Sequence, residues 1–284
     1  MLETRNLTIR FGGHVAVNDV SCRFEPGTLT AIVGPNGAGK TTYFNLISGQ
    51  LRPSAGSVYL DGVELTRMPA SARARLGVGR AFQLTNLFPN LSVLENVRLA
   101  VQARASSAGR FKLWSVWSDH RDWLDEARAL VEEVALTAQA DAVVATLPHG
   151  DQRKLEVALL MALRPGVYMF DEPTAGMSRD EAPVILDLIR RLKQDRSKII
   201  LLVEHKMDVV SERADRIIVL TNGSLVADGE PEEVIASPVV QEAYLGRVPE
   251  ASLLGGGNNE PPSPTLPPRG KGAKPVGDPA GARK

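Results

Sequence analysis

Hydrophobic positions change their period along this chain, and each change announces a different element. From Leu2 to Ile9 and again from Val15 to Phe24, apolar and polar residues alternate, with Gly12-Gly13 between the two runs. Alternation on both sides of a glycine turn predicts paired strands with one covered face, so an antiparallel β-layer opens the chain. After Pro26-Gly27 the alternation stops. Leu29-Thr30-Ala31-Ile32-Val33 is almost wholly apolar, as are Val167 to Phe170, Ile199 to Val203 and Ile217 to Leu220. Runs this short, bounded by charged or turn residues, read as strands buried on both faces of a parallel sheet. Between about Leu94 and Val134 the period lengthens, and Trp123, Leu124, Ala127, Leu130, Val131 and Val134 recur at helical spacing.

The pattern is that of an α/β fold: a core of buried strands, an antiparallel β-subdomain ahead of it, and a helical subdomain inserted at about residues 90–165. From about Ala251 the chain is Pro, Gly, Lys and Asn with little to bury. The expectation is one ordered domain over 1–246 and a disordered Pro/Gly-rich tail over 247–284.

Composition narrows the field. A chain of 284 residues, 43% of them hydrophobic, can bury a full core. No apolar stretch approaches the ~20 residues that span a bilayer, and the charged start after Met1 is unlike a signal peptide, which predicts a cytosolic chain. A single cysteine, Cys22, excludes an internal disulfide and a cysteine metal cluster. Lys plus Arg and Asp plus Glu both number 33, so no global field draws in nucleic acid, and none is expected as a partner.

Chemistry enters where the first buried strand ends. Gly34-Pro35-Asn36-Gly37-Ala38-Gly39-Lys40-Thr41-Thr42 follows Val33 directly, giving GxxxxGK[ST] between a strand and a helix. Glycines let the backbone N–H groups curl inward, and the helix adds the positive end of its dipole, which together suit a nucleotide polyphosphate. Lys40 is placed to reach the β- and γ-phosphates, and the Thr41 hydroxyl to ligate Mg²⁺. The core is therefore a P-loop NTPase core.

Val167-Tyr168-Met169-Phe170 ends abruptly in Asp171-Glu172. Buried carboxylates need a partner, and a metal supplies one. Asp171 would hold Mg²⁺ through water, while Glu172 would orient or deprotonate the water that attacks the γ-phosphate. An acidic pair after a strand also serves simply to cap a helix; the phosphate loop upstream favours the catalytic assignment.

Gln83 in Arg80-Ala81-Phe82-Gln83-Leu84 and His205 in Val203-Glu204-His205-Lys206 have no evident role taken singly. Their order gives them one. Phosphate loop, glutamine, the segment Leu147-Pro148-His149-Gly150-Asp151-Gln152, the Asp-Glu pair, then histidine: over residues 1–246 the chain resembles the nucleotide-binding subunits of ABC transporters. The resemblance implies that Phe11 stacks on adenine, that Gln83 completes the Mg²⁺ and water shell and senses the membrane subunits, and that His205 contacts the γ-phosphate. It also implies a pair of subunits, each ATP lying between the phosphate loop of one and the Leu147–Gln152 signature of the other.

Two positions depart from the family pattern. The signature is commonly LSGGQ, and Pro148 stands at the serine position; Ser178 stands where an aspartate is usual after Pro173 to Met177. Pro148 lacks both the hydroxyl and a backbone N–H, so the site completed by this signature is expected to be the weaker one and the pair a heterodimer.

Arg80 to Gln83, Leu87-Phe88, Leu91 to Asn96, the insert around Phe111 to Trp123, Gly150 to Glu156, Ala175 to Met177, and Pro231 to Val234 through Ala243 to Gly246 are similar to one branch, the larger ATPase of branched-chain amino-acid importers. That branch implies two transmembrane permease subunits, a solute-binding protein acting indirectly, and a peripheral location on the cytoplasmic membrane face. Importers of urea, amides and other small solutes share the branch, and the His149-Gly150 pair does not separate them. A homodimeric exporter ATPase, a soluble P-loop phosphotransferase and a non-transport ABC protein stand as rivals. The tryptophans Trp114, Trp117 and Trp123 are read as helix-packing residues before membrane-facing ones.

Overall fold

The computed structural model describes residues 1–81, 87–106, 121–177, 182–205, 210–211 and 213–245. Gln83, Trp114, Trp117, Ser178 and the tail expected over 247–284 lie outside the described residues.

β1 (Leu2–Phe11) and β2 (His14–Phe24) pair antiparallel, from Leu2 opposite Phe24 to Phe11 opposite His14, and the chain reverses at Gly12 with φ 58°. β4 (Ala55–Leu60) lies antiparallel on the other edge of β1, and β5 (Val63–Glu64) pairs with β4, giving the order β2-β1-β4-β5. Glu3, in β1, is held between Arg5 and Arg23 at 2.8 and 3.1 Å, and those guanidiniums pull its carboxyl down to about 2.

The second sheet has β3 (Leu29–Val33) near its centre, with β6 (Val78–Ala81), β7 (Val167–Asp171), β8 (Ile199–Val203), β9 (Arg216–Thr221) and β10 (Ser224–Gly229) in the order β10-β9-β3-β8-β7-β6. All pair parallel except β10, which returns antiparallel on β9. Every residue of β3, β7 and β8 is buried, because each face of this sheet is covered by a different layer. Met169, Leu201 and Ile218 face a core shared with the antiparallel sheet and helix α1 (Lys40–Ser48). Phe170, Leu202 and Val219 face the core shared with the remaining helices.

Helix α2 (Ala70–Arg75) contributes one unusual brace. Arg73 is 1% exposed and donates to the carbonyls of Leu46, Ile47, Thr66 and Met68 at 2.6–3.1 Å, closing the last turn of α1. Burial lowers its pKa to about 10.

The expected helical segment contains α3 (Val93–Ala105), capped by Ser92 Oγ accepting from Glu95 N, α4 (Arg121–Glu133) and α5 (His149–Leu163). Val97 and Val101 of α3, Ala127 and Val131 of α4, and Leu155 and Ala158 of α5 join one core, and Trp123 packs partly buried against it. Arg104 ties the three helices by pairing with Glu126 at 2.7 Å and donating to the Ala162 carbonyl at 2.9 Å. α6 (Ala182–Leu192) buries Ile185, Leu186, Leu188 and Ile189 on the sheet, and α7 (Pro231–Ala236) and α8 (Pro238–Leu245) follow β10. No helix among the described residues is long and apolar enough to cross a membrane.

Candidate functional site

The phosphate loop leaves β3 through a residue that must be glycine. Gly34 has φ 150°, and a Cβ there would fall 2.1 Å from the Leu220 carbonyl oxygen. At the far end Gly39 is the N-cap of α1 in the left-handed conformation, with no side-chain cap, so the helix opens with its amides uncovered by any side chain. The turn after β9 braces the loop from behind: Gly223 N donates to the Ala38 carbonyl at 3.0 Å, and Asn18 N to the Gly223 carbonyl at 2.8 Å. Lys40 is 4% exposed, and its Nζ donates to the carbonyls of Gly34 at 2.6 Å and Pro35 at 2.9 Å. Burial lowers the pKa of Lys40, and the neighbouring carboxylates of Glu172 and Asp171 oppose that shift.

The acidic groups stand at the carboxyl ends of adjacent parallel strands. Asp171 closes β7 opposite Val203 of β8, so Glu172, Glu204 and His205 follow on neighbouring chains. Asp171 Oδ2 accepts from Arg80 Nη2 at 2.6 Å, whereas its Oδ1 is buried with no hydrogen-bond partner. Burial raises the pKa of Asp171, and Arg80 counters it. Glu172 has φ 51°, a conformation few side-chain-bearing residues adopt, and its amide donates to the Val203 carbonyl at 3.0 Å. That turn brings Glu172 Oε1 to 2.6 Å from His205 Nε2. Glu204 is buried with Thr174 Oγ1 donating to it at 3.0 Å, and burial raises its pKa.

A cavity of about 530 Å³ is lined by Phe11, His14, Ala16, Asn36 to Thr42, Glu172 and His205, and Asp171 and Glu204 are not among its lining residues. Gly34 and Pro35 do not line it; Gly34 is packed against Leu220, and the carbonyls of both hold Lys40. Phe11 is 50% exposed at its mouth, available for a planar ring. His14 and Ala16 were not anticipated, although their position follows from the hairpin, since His14 pairs with Phe11 across the Gly12-Gly13 turn. A larger cavity, about 870 Å³, runs beside Gly27, Asp187 and Arg196 and contains none of the expected site residues.

The donors fit Mg²⁺. Thr41 stands on the cavity wall, and Asp171 Oδ1, which is not on that wall, is a buried oxygen lacking a partner. Mg²⁺ is a hard cation that takes few protein oxygens and fills its shell with water and substrate phosphate. Among the described residues no group of three or more His, Cys, Asp or Glu is placed to hold a metal, so any ion here depends on such a mixed shell.

The signature segment lies apart from this cavity. Pro148 is the N-cap of α5, with φ −57°, and its carbonyl accepts from Gln152 N at 3.0 Å, while Gln152 Nε2 donates to the Leu147 carbonyl at 3.0 Å. Asp151 pairs with Lys154 at 2.7 Å. Pro148 and His149 are exposed and Gly150 is buried, so the start of α5 faces outward. A further groove of about 430 Å³ runs between β6, α3 and α5, walled by Leu87, Phe88, Leu99, Leu159 and Leu163.

Comparison with known proteins finds relatives along most of the chain. Residues 17–175 match the family profile described as ABC transporter, and residues 224–249 match the one described as branched-chain amino acid ATP-binding cassette transporter. The high-affinity branched-chain amino acid transport ATP-binding protein BraF of Pseudomonas aeruginosa is 39% identical over 249 residues, covering 87% of this chain and 98% of that protein. LivG of Escherichia coli K12, described in the same words, is 37% identical with the same coverage. Among solved structures, an ATP-binding cassette of an ABC transporter in its ADP conformation superimposes with a TM-score of 0.73 at 27% identity, covering 87% of this chain and 99% of the other.

Proposed function

This chain belongs to the ABC transporter family and is an ATPase, and from that premise we propose that it powers an importer of branched-chain amino acids. The observation that carries the site assignment is the convergence of Lys40, Glu172 and His205 on one cavity with a half-exposed aromatic ring at its mouth. The names of BraF and LivG, and the match over residues 224–249, support the solute.

In this reading ATP lays its adenine on Phe11 and its phosphates against Asn36 to Thr42. Lys40 exchanges the carbonyls of Gly34 and Pro35 for phosphate oxygens, a neutral acceptor for a charged one, which strengthens each hydrogen bond. Thr41 Oγ1 and Asp171 Oδ1 are the oxygens that would hold Mg²⁺, directly or through water; the ion supplies charge neutralisation between the phosphates. Glu172 takes a proton from the attacking water as its oxygen bonds to the γ-phosphorus and the bond to the leaving ADP oxygen breaks. His205 fixes the carboxylate through Oε1. Gln83 belongs to this shell on the family pattern.

The site is completed in trans by a second ATPase subunit, and the signature Leu147 to Gln152, with Pro148 and His149 exposed at the start of α5, is this chain's contribution to its partner's ATP. Pro148 there offers no hydroxyl, a contact to a charged group of about 1.5–3 kcal/mol, while the amides of the first turn of α5 remain. An unequal pair, and hence a heterodimer, follows. The groove walled by Leu87, Phe88 and Leu163 is the surface offered to one of two transmembrane permease subunits, which place the chain peripherally on the cytoplasmic face; a solute-binding protein acts through them. No nucleic acid takes part.

The test is uptake of labelled leucine by the reconstituted complex with native chain or Glu172→Gln. Loss of uptake with the subunit still bound to the permeases is the expected result. Full uptake with Glu172→Gln contradicts its role as the base that drives transport. A native complex that carries urea or a short amide but not leucine overturns the solute alone.

A further inference from the structure

Arg80 is a buried cation at a place where a cation ought to be unwelcome, beside the carboxylate meant for Mg²⁺. It stands on β6 opposite Met169 of β7, and its side chain is 7% exposed. Its Nη2 donates to Asp171 Oδ2 at 2.6 Å. Its Nη1 reaches the other way, to Asn45 Oδ1 at 2.5 Å, Gln50 Oε1 at 2.7 Å and Ser48 Oγ at 3.0 Å, and the guanidinium lies 5.6 Å from the centre of the Phe44 ring. Asn45 and Ser48 belong to α1, whose first turn carries Lys40 and Thr41. One planar group thus joins the strand that ends in Asp171 to the helix that bears the phosphate loop.

We propose that Arg80 is a positioning residue for the Mg²⁺ site, holding Asp171 by Oδ2 so that Oδ1 alone is presented to the ion, in fixed register with Thr41. A carboxylate has two oxygens and can serve two partners at once. With Oδ2 bound, the group cannot spin, and the buried Oδ1 that has no partner in the protein is the one left for the metal. Partners behind a metal ligand orient it in this way. A lysine would keep the charge but not the fork that grips Asp171 with one nitrogen and α1 with the other. If the charge were all that mattered, removing it would tighten the ion, because Mg²⁺ and the guanidinium repel. Arg80→Lys keeps the charge and removes the fork, so orientation predicts weaker metal binding where charge alone predicts no change. The inference rests on Asp171 being the metal-side carboxylate.

Binding of Mn²⁺, read by electron paramagnetic resonance with the purified full chain saturated by a non-hydrolysable ATP analogue, separates these. Nucleotide affinity in EDTA is measured alongside. Asp171→Asn must weaken Mn²⁺; if it does not, the metal assignment of Asp171 falls and the inference with it. With that established, Arg80→Lys is expected to weaken Mn²⁺ roughly ten-fold or more while affinity in EDTA stays within about two-fold. Unchanged or tighter Mn²⁺ overturns the proposal, as does an equal fall with and without metal, which would mean only a disturbed fold. Should Arg80→Lys fail to fold, Asn45→Ala decides: it removes one anchor of the same guanidinium, and a metal affinity equal to native would overturn the proposal.

Discussion

Nε2 of His205 lies 2.6 Å from Oε1 of Glu172, so the proposed general base and the histidine expected at the γ-phosphate are bonded to each other before any nucleotide is considered. They come from the ends of neighbouring strands, and Glu172 reaches the histidine only because its backbone turns through φ 51°. His205 therefore sets the direction in which the carboxylate points.

Replacing His205 with Ala releases Glu172. Turnover by the assembled transporter is expected to fall about 10²-fold or more, the scale of a misplaced general base, while ATP affinity changes only a few-fold. Single-turnover hydrolysis and equilibrium nucleotide binding on the same preparation check this. An equal loss in both would mean that His205 serves binding instead.

Lys40→Met removes the buried ammonium from the phosphate loop. Its hydrogen bonds to phosphate, about 1.5–3 kcal/mol each, vanish, so nucleotide affinity is expected to drop ten-fold or more by calorimetry. Thermal stability without nucleotide should hardly change, since the burial that lowers the pKa of Lys40 makes its charge costly there.

Gly34→Ala and Gly37→Ala provide a matched pair within one loop. Both glycines have positive φ, but a Cβ at Gly34 meets the Leu220 carbonyl at 2.1 Å, whereas one at Gly37 meets nothing within 4 Å. The first should lose more than about 2 kcal/mol of folding stability and the second about 1 kcal/mol, by denaturant midpoint. Similar midpoints for the two would show that the clash relaxes away.

Acid stability should depend on Glu3. Its carboxyl is lowered from 4.5 to about 2 by Arg5, with Arg23 adding to the effect, so its contribution is complete above pH 4.5 and is lost as the pH falls from there through about 2. Glu3→Gln is expected to remove that part of the slope and leave stability at pH 7–9 nearly parallel to native. An unaltered slope between pH 4.5 and 2 refutes the assignment.

Much of this architecture could be read from the sequence because its signals are local. β3, the phosphate loop and α1 are one contiguous string, as are β7 and Asp171-Glu172, and an unbroken apolar run has few alternatives to a buried strand. β6 escaped notice because Val78-Gly79-Arg80-Ala81 has neither an apolar run nor alternation; it is a strand by virtue of β7, to which it pairs from Val78–Val167 to Ala81–Phe170. β4 and β10 escaped likewise, each a strand by virtue of its pairing, β4 with β1 and β5 and β10 with β9. At the site, the grip of Arg80 on Asp171 spans 91 positions and is invisible to any spacing rule, and so is Lys40 turning back on its own loop. His14 needed only the hairpin register.

The Asn222-Gly223 turn has the sequence of an ordinary surface hairpin, the kind of place where a tag or an inserted domain is usually grafted with impunity. Here its amide holds the Ala38 carbonyl and its carbonyl holds the Asn18 amide, and a Cβ on Gly223 would come within 2.7 Å of the Ala16 carbonyl. Tolerance to insertion is thus not a property of the loop but of what leans on it. A graft at this tip would be felt first by bound nucleotide, and labelling or fusion strategies for this subunit belong at other turns.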